Sequence, residues 1–527
     1  MDFSNHFKLI EPRAYRWVPD LATSRLAIAG SISVGLLLLY LFYCIFFAPL
    51  SKIPGSLLSK ITPARSYLHI LQGISAQSAR EDYFAYGDIY TIGPNTVSIS
   101  NPSDCRKVLG SPEFSKHPIY RGLSVIEDVM ISTLSEGDAR ARHKRLGHVF
   151  THSNLSKLDD VIDRGIDALF KKWDSALDQA CDKQAVEINY LWHFMMTGFD
   201  IVSVHVVGRS FAMLEKDQFR VMDWASGYLS FVTAKFVLGH VAKPLLKLFR
   251  PGMMRHKDDL YAFTNQQIQE RRMHLQSEKR AEMPRDALQS LLQAENDGAR
   301  FSMTPTKVSA EVAALLLAGT VSTSQTMCYA LHYMLLNPAT YRKAVAEVRS
   351  AFPHSHTITY LECKEHLPYV EACIYESMRV HAIAGAALPR VAPTGGVFMQ
   401  GHFIPQGTVI AVNIAGAHHH KGTWETPRAF VPERFIADPE AKKNVFAFSF
   451  GARSCPGRNL AMRELLVLFS NMLKNYDFEI PKDSLFGPDV LDEHGHAQPM
   501  PSVQAVMVGP KHPARDCRVV IRKAVQI

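Results

Sequence analysis

The chain has 527 residues, 47% of them hydrophobic and 20% charged, with 58 basic and 50 acidic side chains giving a formal net charge of +8. That balance excludes a disordered chain, a collagen-like repeat and a disulfide scaffold. The basic residues are scattered, with no aromatic and basic module motif, so no nucleic-acid partner is expected.

At the N-terminal end, no charged residue occurs from Leu26 to Leu50. About 20 apolar residues cross a bilayer, whereas a signal peptide has an apolar region of about 7 to 15, so residues 26–50 are expected to be a membrane anchor. It follows an extension of residues 1–25. Lys8, Arg13, Arg16 and Arg25 precede it and Lys52, Lys60 and Arg65 follow, which leaves the topology open on charge counting. Pro54 and Pro63 then stiffen an expected linker, residues 51–65, ahead of a domain from 66 to 527.

Within that domain, alternating residues on either side of Gly93-Pro94-Asn95 predict a β-hairpin over 87–102. Apolar spacing of three and four predicts helices over 155–180, 257–295, 307–336, 338–350, 366–380 and 458–475, and short strand-like pieces fall at 388–413 and 503–522. Length alone would allow about three domains, but this pattern reads as one large, mainly α unit with small β-sheets (α+β). Residues 224–257 lack Asp or Glu among acid-free apolar runs up to Arg255-His256-Lys257, and fit either a lipid-interface segment or a core helix pair. Eight cysteines without CxxC spacing fit mostly reduced, buried thiols. His418-His419-His420 lie too close on one loop to be expected to converge on a metal.

The chemistry concentrates in Phe448-Ser-Phe-Gly-Ala-Arg-Ser-Cys-Pro-Gly457. A thiolate at a helix N-terminus is stabilised by the helix dipole and by backbone N–H groups. Gly451 and Gly457 allow a tight turn around the sulfur and the close approach of a flat ligand. The stretch matches Phe-x-x-Gly-x-Arg-x-Cys-x-Gly at every fixed position and resembles the cysteine-ligand loop of the cytochromes P-450, most closely of fungal microsomal members. The resemblance implies haem b as cofactor, with Cys455 as the axial ligand of the haem iron, Arg453 on a propionate and Phe448 beside the sulfur.

Three further stretches follow the family order. Glu376-Ser-Met-Arg379 and Pro432-Glu-Arg-Phe435 resemble the parts of a buried triad, giving Glu376, Arg379 and Arg434 a structural role. Arg390, in Ala387-Leu-Pro-Arg-Val, resembles the strand arginine that reaches a propionate. The basic run Arg140, Arg142, His143, Lys144, Arg145 falls where the family's C helix supplies another propionate contact, without marking which residue does so. Leu317-Ala-Gly-Thr-Val-Ser-Thr-Ser324 aligns with the oxygen-binding helix, making Ala318, Gly319, Ser322 and Thr323 the catalytic candidates. Here Val321 replaces the usual acid and Ser322 the usual Thr, so proton delivery must use Ser322, neighbouring hydroxyls or water.

Such an enzyme inserts one atom of O2 into a lipophilic molecule, such as a steroid, terpenoid, polyketide or fatty acid of fungal secondary metabolism. The resemblance places it on the cytosolic face of the endoplasmic reticulum membrane. No dinucleotide or flavin motif is present, so electrons come from NADPH–cytochrome reductase, with cytochrome b5 as a second donor. Two alternatives stay open: a haem-thiolate isomerase or dehydratase acting on peroxides without a reductase, and a haem-binding sensor without turnover.

Overall fold

The computed structural model describes residues 21–180, 184–277, 286–296, 303–385 and 387–525. The chain is mostly helical, and its core is organised around the long helix Pro305–Leu336. Thr304 caps that helix by accepting the Lys307 N–H at 3.2 Å, with Pro305 in the first turn where no N–H is needed. Pro338 starts the next helix, Pro338–Ala351, directly after Asn337.

Helix Tyr190–Val207 lies along the central helix, and glycines bring the two together. A Cβ on Gly319 would sit 3.1 Å from both Val202 methyls, and one on Gly198 would sit 3.0 Å from Ser324 Oγ. The sequence periodicity does not reveal Tyr190–Val207, because a helix buried on nearly all sides is apolar all round. Helix Arg458–Asn475, following the cysteine loop, packs on the same central helix and on Pro338–Ala351 and Pro368–Val380. The expected helix over 257–295 is observed as Pro251–Ser277 and Ala287–Asn296, while residues 278–285 lie outside the described residues.

Residues 87–102 form the expected hairpin, Ile89–Gly93 against Thr96–Ile99. Strand Thr96–Ile99 then pairs in parallel with Val409–Val412, whose other edge pairs antiparallel with Leu388–Val391. Beyond that edge, Val391 N–H donates to Ser115 O at 2.9 Å and Lys116 bridges to Arg390, so residues 115–117 lie alongside the strand that carries Arg390.

The region from 224 to 257 divides between its two readings. Helix Arg220–Leu238 buries Val221, Trp224, Tyr228, Phe231 and Val232, partly against Pro251–Ser277, as a core pair does. The intervening helix Ala242–Phe249 instead leaves Leu248 72% and Phe249 70% exposed beside Lys243 and Lys247.

At the N-terminal end, helix Leu21–Phe42 continues into a wider π-helical turn, Tyr43–Phe47. Among the described residues this is the one helix long and apolar enough to cross a membrane, over Ile28–Phe47. The following segment is stitched to the domain. Leu50 and Ile53 are buried, Thr91 N–H donates to Pro54 O at 2.8 Å, Tyr40 Oη donates to Ile61 O at 2.8 Å, and Lys60 Nζ donates to Ser51 O at 2.6 Å. Its rigidity therefore comes from hydrogen bonds and burial as well as from proline.

Candidate active site

The cysteine loop is shaped before any side chain is considered. Cys455 N–H donates to Phe448 O at 2.9 Å, closing the turn. Gly451 has φ +76°, and a Cβ there would lie 2.7 Å from Gly110 Cα and Leu109 O, so both its conformation and its contact exclude a side chain. Gly457 is the N-cap of Arg458–Asn475 and would place a Cβ at an ordinary 3.8 Å from Cys455 Sγ, so no protein atom demands glycine there.

Cys455 keeps substantial accessible surface although protein surrounds it, so its sulfur borders an interior cleft rather than the outer surface. Burial pushes the thiol up, while the N–H groups of Gly457 and Arg458 and the Arg458 charge pull it down; the net is upward. Metal ligation reverses that balance, since a coordinating thiol loses its proton outright. Phe448 is half-buried in the loop with the Arg458 guanidinium 5.9 Å from its ring.

Around this loop three cations meet. Arg453 pairs with Glu136 at 2.9 Å and donates to Thr133 O and Ser135 O at 3.2 and 3.3 Å. Arg390, 4% exposed, donates to Tyr120 Oη at 3.1 Å. Lys116 Nζ lies 4.2 Å from the Tyr120 ring centre and donates to Ile131 O. Burial, then Arg453 and Arg390, lower Lys116 to about 7 against the pull of Glu136. Two arginines and a lysine whose charge is weakened by its neighbours face one carboxylate, and with Lys116 protonated the excess is two positive charges, which two haem propionates would match. This donor set and the accessible sulfur fit the cofactor.

The basic run of helix Glu136–Gly147 divides three ways. Arg142 is buried in an ion pair with Glu311, whereas Arg140 and Lys144 are exposed. His143 faces the cluster, and burial together with Arg453 and Lys116 lowers its pKa. Lys116, Tyr120 and Glu136 are not singled out by sequence, because Lys116 and Tyr120 lie outside any long periodic element and Glu136 is simply an acidic residue in the first turn of its helix. A better signal is available for Glu311, a lone carboxylate in the apolar run Val308–Val321.

On the central helix, Ala318 is exposed and Gly319 and Ser322 are half-exposed, while Leu316 and Leu317 just before them and Thr320 and Val321 between them are buried. Ala318 and Ser322, four residues apart, thus form an accessible stripe inside the molecule, on a helix in contact with the one Cys455 precedes. Ser322 Oγ donates to Ala318 O at 2.6 Å. Thr323 is 4% exposed and Thr320 Oγ1 is buried without a hydrogen-bond partner, so neither hydroxyl belongs to the accessible stripe.

Glu376, Arg379 and Arg434 come together. Arg379, fully buried, holds Glu376 through Nε and Nη2, both at 2.7 Å, and donates to His418 O, Pro427 O and Ala429 O, each at 2.8 Å. Glu376 also accepts from Val431 N–H at 2.7 Å and Arg434 Nε at 3.2 Å. The three neighbouring histidines face separate partners: His418 accepts from Phe446 N–H, His419 meets Ala415 O, and His420 meets Thr423 and Asp88.

A glycine-turned loop that presents an accessible thiol, a cluster of cations in excess of its one carboxylate, and a long helix with one accessible stripe define a haem-thiolate protein class. The sequence model of the Cytochrome P450 family matches residues 70–500, and the chain belongs to that family. It is 36% identical to cytochrome P450 monooxygenase helB1 of Aspergillus fumigatus over 97% of this chain and 88% of that protein. It is also 36% identical to helB3 of the same organism, over 91% and 95%, and 27% identical to cytochrome P450 monooxygenase tpeC of Talaromyces stipitatus, over 86% and 89%. The chain is accordingly an oxidoreductase of the monooxygenase kind.

Proposed function

We propose that this chain is a membrane-anchored monooxygenase with haem b, held through Cys455, that oxidises a lipophilic small molecule in fungal secondary metabolism. The observation that carries the reading is the accessible Cys455 in a loop whose Arg453 joins Arg390 and Lys116 around a single carboxylate, Glu136. When bound, the haem supplies activation of O2 with electron density from the thiolate. Arg390, Arg453 and Lys116 hold its propionates, and His143 stands within reach of the same group. Ser322 orients a water or hydroxyl proton toward the Ala318 side of the cleft, because Val321 is buried and offers none.

The apolar Ile28–Phe47 helix and the exposed Leu248 and Phe249 between Lys247 and Arg250 support attachment to the endoplasmic reticulum membrane and entry of substrate from lipid. Arg140 and Lys144, solvated on the outer face of the helix that carries His143, support docking of an acidic NADPH–cytochrome reductase, with cytochrome b5 as a second donor. The test is the reduced carbon monoxide spectrum of the haem-loaded full chain. The wild type is expected to show the red-shifted Soret band of thiolate ligation and Cys455→Ala to lose it; a wild type without that band would overturn the reading.

A further inference from the structure

Arg142 and Glu311 form an ion pair in which each side chain is 2% exposed. It does more than join helix Glu136–Gly147 to the central helix. Met130 N–H donates to both Glu311 carboxylate oxygens at 3.1 Å, and Arg142 Nη1 donates to Asp128 O at 2.9 Å. The pair therefore grips the backbone of residues 128–130. A few residues on, Lys116 holds Ile131 O and Arg453 holds Thr133 O and Ser135 O. Upstream, Ser124 Oγ donates to Asp128 Oδ1 at 2.6 Å, and Lys235, from helix Arg220–Leu238, donates to Ser124 O.

Residues 124–135 are thus a strap fixed at one end to the central helix and at the other to the cation cluster. Between the two grips stands Ile131, an apolar side chain 55% exposed. Helical spacing puts Glu311 on the same face as Ala318 and Ser322, about 10 Å and 16 Å from them along the axis at about 1.5 Å per residue. The accessible stripe consequently ends where the strap crosses.

We propose that Glu311 and Arg142 are positioning residues that hold this strap across one end of the cleft and so limit the size of molecule admitted next to the haem. The proposal rests on the haem-thiolate reading for the location of the reactive centre. A purely stabilising role is a poor account of the pair. Two charges taken out of water recover little net stability, and apolar replacements of both are often neutral, so what the pair adds is the fixed position of the backbone it binds.

The test uses the full chain with Glu311→Gln, and with Glu311→Leu and Arg142→Met combined, which leaves no unpaired buried charge if the single variant folds poorly. Two measurements are made: hydrogen exchange of the amides of residues 128–131, and the ratio of 4-phenylimidazole to imidazole affinity from the Soret shift. Both variants are expected to exchange at least about tenfold faster at Met130, as a locally released segment does, and to shift the affinity ratio toward the bulkier probe by about fivefold, roughly 1 kcal/mol by the usual conversion. A double variant that retains the thiolate–carbon monoxide band but leaves either the exchange or the ratio within about twofold of wild type overturns the proposal. Exchange is also read in the haem-free chain, so failure of the haem-thiolate reading would show in the carbon monoxide spectrum and failure of the strap in the exchange.

Discussion

Replacing Arg379 with alanine should be among the most damaging single changes in the chain, and the structure gives the size of the effect. The guanidinium satisfies two Glu376 oxygens and three backbone carbonyls, those of His418, Pro427 and Ala429, all at 2.7–2.8 Å and without solvent contact. Arg379→Ala leaves Glu376 short of its main partner, which costs about 3–5 kcal/mol for a broken buried pair. Each stranded carbonyl adds up to about 1–3 kcal/mol before water enters. A total of at least about 5 kcal/mol competes with a native stability of about 5–15 kcal/mol. Arg434→Ala is a built-in control. Its Nε contact to Glu376 is longer, 3.2 Å, its side chain is 12% exposed, and Glu376 keeps Arg379, so about 1–2 kcal/mol is expected. Trp424, 2% exposed and 5.3 Å from the Arg379 guanidinium and 5.8 Å from that of Arg434, reports on the region by fluorescence during urea unfolding. If Arg379→Ala proves no more destabilising than Arg434→Ala, the reasoning from buried donor satisfaction is wrong.

Two other outcomes are expected at the cleft. Lys116 is lowered to about 7 in the protein, against 10.5 when free. Between those values the unfolded chain binds the extra proton, so the haem-free fold gains stability as pH rises from 7, and binding of propionates should return the proton to Lys116. Haem loading at about pH 8.5 should then be close to proton-neutral in weakly buffered solution, because Cys455 gives up its thiol proton on ligation while Lys116 takes one up. Lys116→Met should instead release about one proton, and equal proton balance in the variant and the wild type would show that Lys116 does not face the propionates. Ser322→Ala should lower product formed per NADPH consumed while leaving the carbon monoxide spectrum unchanged; unchanged coupling and rate would remove Ser322 from proton delivery.

The sequence carried the periodic elements well. The hairpin around Gly93-Pro94-Asn95 and the helices that expose one face had a pattern to read, and the cysteine loop had fixed spacing. Tyr190–Val207 escaped because complete burial erases the amphipathic signal. In the cation cluster the family resemblance pointed to Arg390 and Arg453, whereas Lys116 and Glu136 escaped for another reason. Lys116, Glu136, Arg390 and Arg453 are dispersed over more than three hundred residues and meet only because residues 115–117 extend the edge of strand Leu388–Val391. Ser322 and Thr323 looked equivalent in sequence, and only helical phase separates the accessible hydroxyl from the buried one. Arg142 and Lys144 likewise share a basic run yet have opposite surroundings.

The segment from Tyr40 to Ile61 has a mechanical consequence. A polypeptide tether would let the domain tumble above the bilayer, but the hydrogen bonds Tyr40–Ile61, Lys60–Ser51 and Thr91–Pro54 make the apolar helix and the sheet one body. On the proposed reading the anchor works as a bracket rather than a leash. Helix tilt in the bilayer then sets the bearing of the whole domain, including the Arg140 and Lys144 face and the Leu248–Phe249 edge. Encounters with a membrane-bound electron donor become a search over two dimensions and one rotation, with most of the orientational entropy already lost before the partners meet.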